Sequence, residues 1–501
     1  GQKVAVVDQM ENPVEAKGLV KRSVTRIITP GTLTDTDSLN QKENNYLLAV
    51  YVHGHRLGIA YTEISTGEIS ATELKEVQSI ETSILDWITT LRPSELLFIN
   101  DEDFVQKSFL NEVPDQDAID LAYVEREGIF LTRLNPVAYD NKNVEAILNK
   151  YLSKKNRQSM DKHLMASIAL ATMLDYIYSF QDKKLDHLNE VRWLNPQQVL
   201  KMNASTRENL EIHYNINTRS KKHSLLGVMN QTQTAIGSRL LSKWLEFPLL
   251  DVDDIEERLD IVDYFYHNLV LQTKINDNLS KIYDLERLLS KFSYNRGNAR
   301  DMLALGLSLK PLPALKVLLS ETDSPLLKKI GDDLDTIQDV AVAIEKAIEE
   351  NPPLTLTEGG LIKTGYDEKL DHIRQSSDRA RERLLNYEVE EQERTGIKNL
   401  RVVFKKNMGY FIEVTNSNLQ KIPDDSRRRQ TLKNAERFLT DELEEQTRII
   451  LGSEQAIFDY EYNLFQELRS YIGQQTVRIQ TTAETIGRLD VLLSFAKVAK
   501  K

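Results

Sequence analysis

Between Tyr366 and Arg394 the chain is charged on nearly every turn, and its apolar thread runs only through Leu370, Ile373, Ala380 and Leu384. A stripe this narrow cannot roof a globular core; it suits the seam of a two-helix coiled coil. Gly396 predicts the helix end, because glycine takes tight backbone turns at no steric cost. The pattern then switches to strands: Leu400 to Phe404, a turn at Lys406-Asn407-Met408-Gly409, and Tyr410 to Val414. From near Arg429 a helical pattern resumes and runs to about Ile472, with Leu432, Ala435, Leu439, Leu443 and Ile450 on its stripe. The sequence therefore predicts a long antiparallel pair of helices tipped by a small β element.

The segment before residue 150 has a different texture. Tyr46 to Val52, Leu57 to Ile64 and Glu68 to Leu74 are β-rich runs joined by short turns, which predicts an antiparallel meander. Ile80, Ile84, Leu85 and Ile88 fit a helix ended by Arg92-Pro93, and Glu95 to Ile99 reads as a strand crossing back. Residues 1–28 read as an isolated strand and helix, which cannot bury a core alone. After about residue 150 the spacing is helical, with Leu164, Ile168, Met173, Leu174 and Ile177 on one face. Helices are expected across 224–250, 254–276, 280–292, 298–310, 334–350 and 480–501, punctuated by Pro248, Pro311, Pro313, Pro352 and Pro353. Trp244 sits on a helical apolar stripe, as a core residue would. At about 100–200 residues per domain, a chain this long holds roughly three or four units.

Composition narrows the chemistry. No apolar run approaches the roughly 20 residues that span a bilayer. There are no cysteines, which removes disulfides and thiolate metal sites and fits a reducing cytoplasm. No glycine precedes a lysine, so no G-x-x-x-x-G-K-[ST] phosphate loop exists in these residues. His53 and His55 share a turn without a third ligand nearby, and His372 faces solvent on the charged helix. A two-metal nuclease needs acids on the first and neighbouring strands. The strand Tyr46 to Val52 has none, and Glu63 and Glu68 read as solvated.

The charge is distributed unevenly. Residues 394–437 carry eleven basic side chains against the acids Glu413, Asp424, Asp425 and Glu436, a net charge of +7. The whole chain carries −12, so the remainder holds −19. A positive island on an anionic body attracts phosphates and orients the encounter. Lys, Arg and Asn suit backbone contact, and no base-reading helix is evident.

Three segments at this island resemble the bacterial DNA mismatch-repair family MutS: Thr395 to Val402, Gly409 to Thr415 and Arg429 to Phe438. Val24 to Thr32, Thr206 to Glu211, Gly237 to Leu245, Asp284 to Leu289 and Gly365 to Asp371 match the same family in the same order. The resemblance implies an α+β multidomain chain. Residues 1–28 would end a mismatch-recognition domain whose Phe-x-Glu motif lies ahead of them. Residues 29–150 would be a ribonuclease-H-like connector, 151–365 the lever or core, 366–437 the coiled-coil clamp and 438–501 the returning lever helices. It implies duplex-backbone contact by the clamp, at Lys398, Arg401, Lys405, Lys406, Asn407, Arg428, Lys433 and Asn434. It also implies no catalytic, cofactor or metal site in these residues, with ATP and magnesium used by an ATPase domain beyond them. A MutL-type partner on the connector, homodimers in the full-length form and a cytoplasmic location follow from the same resemblance. The competing expectations are a protein-interaction module without DNA binding and a metal-dependent nuclease.

Overall fold

The computed structural model describes residues 2–10, 20–35, 38–100, 124, 127–153, 162–179, 185, 187–294, 296–405 and 409–500. The chain forms two compact units. The first joins 1–297, 304–341 and 472–501; the second joins 298–303 and 342–471.

In the first unit, β1 (Val4–Gln9) and β2 (Arg22–Ile28) pair antiparallel, two strands where a strand and a helix were expected, with Val4, Val7 and Val24 exposed. Next come β3 (Tyr46–His53), β4 (Arg56–Glu63), β5 (Glu68–Leu74), the helix α1 (Ile80–Leu91), β6 (Glu95–Ile99), β7 (Phe130–Leu134), α2 (Asn141–Tyr151), α3 (Leu164–Ser179) and β8 (Arg192–Trp193). They build one sheet of order β7-β6-β3-β4-β5-β8. The β3-β4-β5 meander is antiparallel, whereas β6, β7 and β8 join in parallel. This agrees with the ribonuclease-H-like expectation. The run YLLAVYV is apolar throughout because helices cover both faces. Leu47, Ala49 and Tyr51 pack in the core that holds α2 and α3, while Tyr46, Leu48 and Val50 pack in the core that holds α1.

Two sequence expectations need correction here. The α/β body does not end near residue 150, since α3 and β8 both belong to the sheet. An ideal Cβ on Gly58 would sit 2.0 Å from the Met165 carbonyl oxygen, so glycine lets the α3 backbone lie directly on β4. Helix α3 is buried on nearly every side, which removes the polar face that would have separated it from a lever helix. Nor are Glu63 and Glu68 solvated. Glu63 is 0% exposed and accepts the Ser65 hydroxyl at 2.7 Å, and Glu68 pairs with Lys243 at 2.5 Å. A third acid, Glu95, is equally buried and receives the hydroxyls of Thr29, Thr132 and Tyr176 and the Gly31 N–H. All three carboxylates serve structure.

The helical part follows: α4 (Ala204–Asn209), α5 (Leu225–Met229), α6 (Ala235–Glu246), α7 (Val252–His267), α8 (Leu269–Leu279) and α9 (Leu285–Ser293). The single helix expected over 254–276 is two, because the Asn268 side chain donates to the Tyr264 carbonyl and ends the first. Trp244 packs against Phe495 with Arg258 stacked 3.5 Å over its ring, as a core residue. Residues 299–320, which the sequence passed over, are apolar and long enough for a bilayer. They are half buried and split at Pro311 into α10 (Ala299–Leu309) and α11 (Leu312–Ser320). Then come α12 (Pro325–Asp333) and α13 (Gln338–Ala347).

In the second unit, α14 (Glu368–Thr395) ends at Gly396, whose φ is +65°. Helix α15 (Asp441–Gln474) returns antiparallel to it: Arg374 pairs with Glu461, Arg381 with Glu454 and Arg383 with Glu442, at 2.6, 2.6 and 2.5 Å. The buried seam on α14 is Leu370, Ser377, Ala380, Leu384, Tyr387 and Glu391. Between the two helices lie four strands rather than two: β9 (Arg401–Lys405), β10 (Gly409–Thr415), β11 (Arg427–Thr431) and β12 (Ala435–Leu439). The helix expected from Arg429 thus begins twelve residues later, at Asp441. Leu432, Ala435, Leu439 and Leu443 fit helical spacing by coincidence. Apolar side chains fall on both faces of β12, Phe438 on one and Leu439 on the other, so no clean alternation marks the strand. The chain closes with α16 (Thr476–Val498).

Candidate nucleic-acid interface

The four strands form an antiparallel sheet of order β11-β12-β10-β9. Its core combines Phe411, Ile412, Val414, Phe438 and Leu439 with Leu384, Tyr387 and Leu443 from the helices. Strand β9 runs back along α14. The Gln392 amide donates to the Leu400 carbonyl at 2.8 Å, and Glu388 accepts the Val402 N–H at 2.7 Å.

Three stretches meet at one end of the sheet. The Asn416 N–H donates to the Asn434 carbonyl and its amide to the Lys433 carbonyl, both at 3.2 Å. The Asn399 amide donates to the Thr415 hydroxyl at 3.2 Å, and Asn418 donates to Asn399 at 3.1 Å. Lys398, Arg401, Lys433 and Asn434 are therefore gathered here, all exposed. Lys405 is exposed at the opposite end of β9. At about 3.3 Å per residue it stands roughly 13 Å from Arg401. Lys406 and Asn407 lie outside the described residues. The sequence list joined two separate places.

The net charge of the island is smaller than the count of 394–437 implies. Arg394 bonds Glu391 and Asp425, each at 2.8 Å, and holds the Asp425 carboxyl below its usual range. Arg427 bonds Asp441 at 2.7 Å and Glu444 at 2.6 Å. Arg437 bonds Glu413 at 2.9 Å and lies over the Phe411 ring. Arg428, one of the expected contacts, is engaged by Glu436 at 3.2 Å and by the Thr431 hydroxyl. Glu391, Asp441 and Glu444 fall just outside the counted window, which is why composition overstated the excess. Among the described residues, Lys398, Arg401, Lys405, Lys421, Arg429 and Lys433 make no ion pair and are all exposed. The amides Asn399, Asn416 and Asn418 went unnoticed in the sequence, although the run Asn416-Ser417-Asn418 between two strands was a visible signal. No group of three or more metal-ligating side chains occurs among the described residues.

Comparison with known proteins gives three family matches in chain order: MutS domain I over residues 1–37, MutS domain II over 45–189 and MutS domain III over 205–496. The chain is 40% identical over 500 residues to the DNA mismatch repair protein MutS of Caldanaerobacter subterraneus subsp. tengcongensis, covering all of this chain and 56% of that protein. It is 39% identical over 503 residues to the protein of the same name from Caldicellulosiruptor bescii, covering 55% of it. It is 38% identical over 502 residues to that from Desulforamulus reducens, covering 56%. The chain thus spans about half the length of these curated relatives. The ribonuclease-H-like sheet, the helical body and the strand-tipped helix pair fall in the order of those matches, and the chain belongs to the MutS family.

Proposed function

We propose that this chain is the DNA-gripping portion of a mismatch-repair protein, and that it holds the duplex by its backbone through the end of the sheet carrying Lys398, Arg401, Lys433 and Asn434. One observation carries this reading. After the internal ion pairs are discounted, exposed cations without carboxylate partners among the described residues remain beside a cluster of amide side chains. That combination suits phosphate and sugar oxygens, which carry no sequence information. The names of the relatives, all DNA mismatch repair proteins, support the same class of substrate. Nucleotide chemistry would belong to a part of the protein outside these residues.

The test is fluorescence anisotropy with a labelled duplex across a salt series. If about four phosphates are neutralised, log affinity falls with log salt at a slope near −3.6. Lys398→Glu with Lys433→Glu should weaken binding and flatten the slope. Binding indifferent to salt and to that double substitution would sink the proposal.

A further inference from the structure

Ile337 is a fully buried, β-branched residue with φ +48°. Such residues almost never take the left-handed region, and strain of this kind persists only where surrounding contacts enforce it. Ile337 also occupies the N-cap of α13, since its carbonyl receives the Ala341 N–H. An aliphatic side chain has nothing to offer there.

Several contacts hold this conformation: the Gln338 amide donates to the Thr336 carbonyl at 3.1 Å and the Leu309 carbonyl at 3.2 Å, and one arginine grips the chain from outside. The Arg478 guanidinium donates to Asp335 at 2.7 and 3.2 Å and to Asp339 at 2.8 and 3.1 Å, so it clasps the chain on both sides of Ile337. The Asp335 carboxylate turns back to accept the Ile337 N–H at 2.9 Å, and its carbonyl accepts the Thr482 hydroxyl at 2.9 Å.

The local sequence favours another arrangement. Asp335-Thr336-Ile337-Gln338 has the form of a capping box, an acid at the N-cap and a glutamine three residues on. Its unstrained outcome is a helix that starts after Asp335, with Ile337 in ordinary helical geometry. That start agrees with the helix expected from residue 334. The clasp engages both oxygens of the Asp335 carboxylate, one of which also accepts the Ile337 N–H, and holds it short of the complete box. Arg478, Asp335 and Asp339 are each about two-fifths exposed, so the ion pairs holding the strained form are modest ones.

We infer that α13 is a two-state element: Arg478 selects a short, strained form, and release of the Asp335–Arg478–Asp339 clasp lets the helix lengthen by capping on Asp335. The element stands where the chain leaves the first unit after Ala341, and Arg478 stands just after the chain returns to it at Ile472. This inference does not depend on the DNA reading and is tested without DNA.

The experiment uses the full chain with 13C-labelled isoleucine and threonine. In Arg478→Ala, the backbone carbon shifts of Thr336 and Ile337 should move to helical values, and Arg478→Lys should move them part of the way. Shifts that stay at wild-type values in Arg478→Ala would overturn the inference. A second pair of variants reads the strain directly. Ile337→Gly should melt about 2–4 °C above Ile337→Ala, because glycine accepts positive φ freely. The usual order, alanine above glycine, would equally overturn it.

Discussion

Asp490 caps a helix whose N-cap residue lies 256 positions before it: its carboxylate accepts the Thr234 N–H and the Thr234 hydroxyl, each at 2.7 Å. The Gln233 N–H joins at 2.9 Å. The two helices approach closely here. A Cβ on Gly237 would come within 2.4 Å of the same carboxylate. Asp490→Ala leaves the two buried Thr234 donors and the part-buried Gln233 N–H without an acceptor, so it should cost about 2–4 kcal/mol. Thr234→Ala should cost only about 1 kcal/mol, because the carboxylate still receives the backbone N–H groups. Urea unfolding measures both. Equal midpoints for the two variants would contradict the capping account.

Arg287 anchors the segment leading into β3. It is 2% exposed and donates to the Asn40 carbonyl at 2.9 Å, the Glu43 carbonyl at 2.8 Å and the Ser65 hydroxyl at 3.0 Å. The guanidinium fork reaches three acceptors in different directions, which an ammonium cannot match. Arg287→Lys should therefore lose most of what Arg287→Met loses, about 3–5 kcal/mol. A lysine variant as stable as wild type would show that charge alone suffices. Limited proteolysis within residues 38–45 should accelerate in both variants.

Much of this architecture was legible because one physical signal decided each element. Gly396 ended α14, the unbroken apolar run marked β3 as a strand covered on both faces, and the thin stripe on α14 demanded a partner helix. The failures share a cause. Where an element is buried on all sides, as in α3, or on both faces, as in β12, no polar face remains to report its period. The candidate site was legible as composition and not as geometry. The excess of Lys and Arg is real, but Asp441 and Glu444 reach Arg427 from a helix that the sequence seemed to start much earlier. Which cations lack partners is a tertiary fact.

Gly409 is required by its surroundings. Its φ is +76°, and an added Cβ would lie 2.4 Å from the Thr447 methyl carbon. Gly409→Ala should destabilise the second unit by about 2 kcal/mol, part from the left-handed backbone and part from the collision. In a Thr447→Ser background the methyl is gone while the hydroxyl that bonds Leu443 remains. The cost should then fall to about 1 kcal/mol, the backbone share alone. A double-mutant cycle by thermal melting separates the two contributions. Additive costs would rule the collision out.

Acid should weaken the first unit through its buried histidines. Burial pushes His187 down to about 4, and burial together with Arg92, Arg207 and Lys221 pushes His213 down to about 2. Both are neutral in the fold, yet each takes up a proton in the unfolded chain below about pH 6.5. The unfolded state therefore binds more protons as pH falls, and stability drops by up to about 1.4 kcal/mol per unit per histidine. For His187 the loss begins near 6.5 and is complete near 4. Glutamine can still donate to the Ile64 carbonyl that His187 now bonds at 2.8 Å. The stability difference between wild type and His187→Gln should shift by about 2 kcal/mol in favour of the variant between pH 7 and pH 5. A difference that stays constant with pH would show the imidazole is not held neutral.

The proposed grip on DNA should also be limited by carboxylates that occupy its arginines. Asp425 holds Arg394 by two bonds, at 2.8 and 3.2 Å, and both groups are substantially exposed. Such a pair contributes little to folding, so Asp425→Asn should leave the melting temperature almost unchanged. It removes one negative charge beside the exposed cations and releases one of the two carboxylates on Arg394, the other being Glu391. Affinity for duplex DNA should rise about threefold at low salt and converge with wild type at high salt, because the added attraction is screened. Arg428→Ala should weaken binding less than Arg401→Ala, since Glu436 already engages Arg428 and, among the described residues, no carboxylate bonds Arg401. The same anisotropy titration reads all three variants. Weaker binding by Asp425→Asn, or equal losses for the two arginines, would mean that the internal ion pairs do not decide which cations meet phosphate.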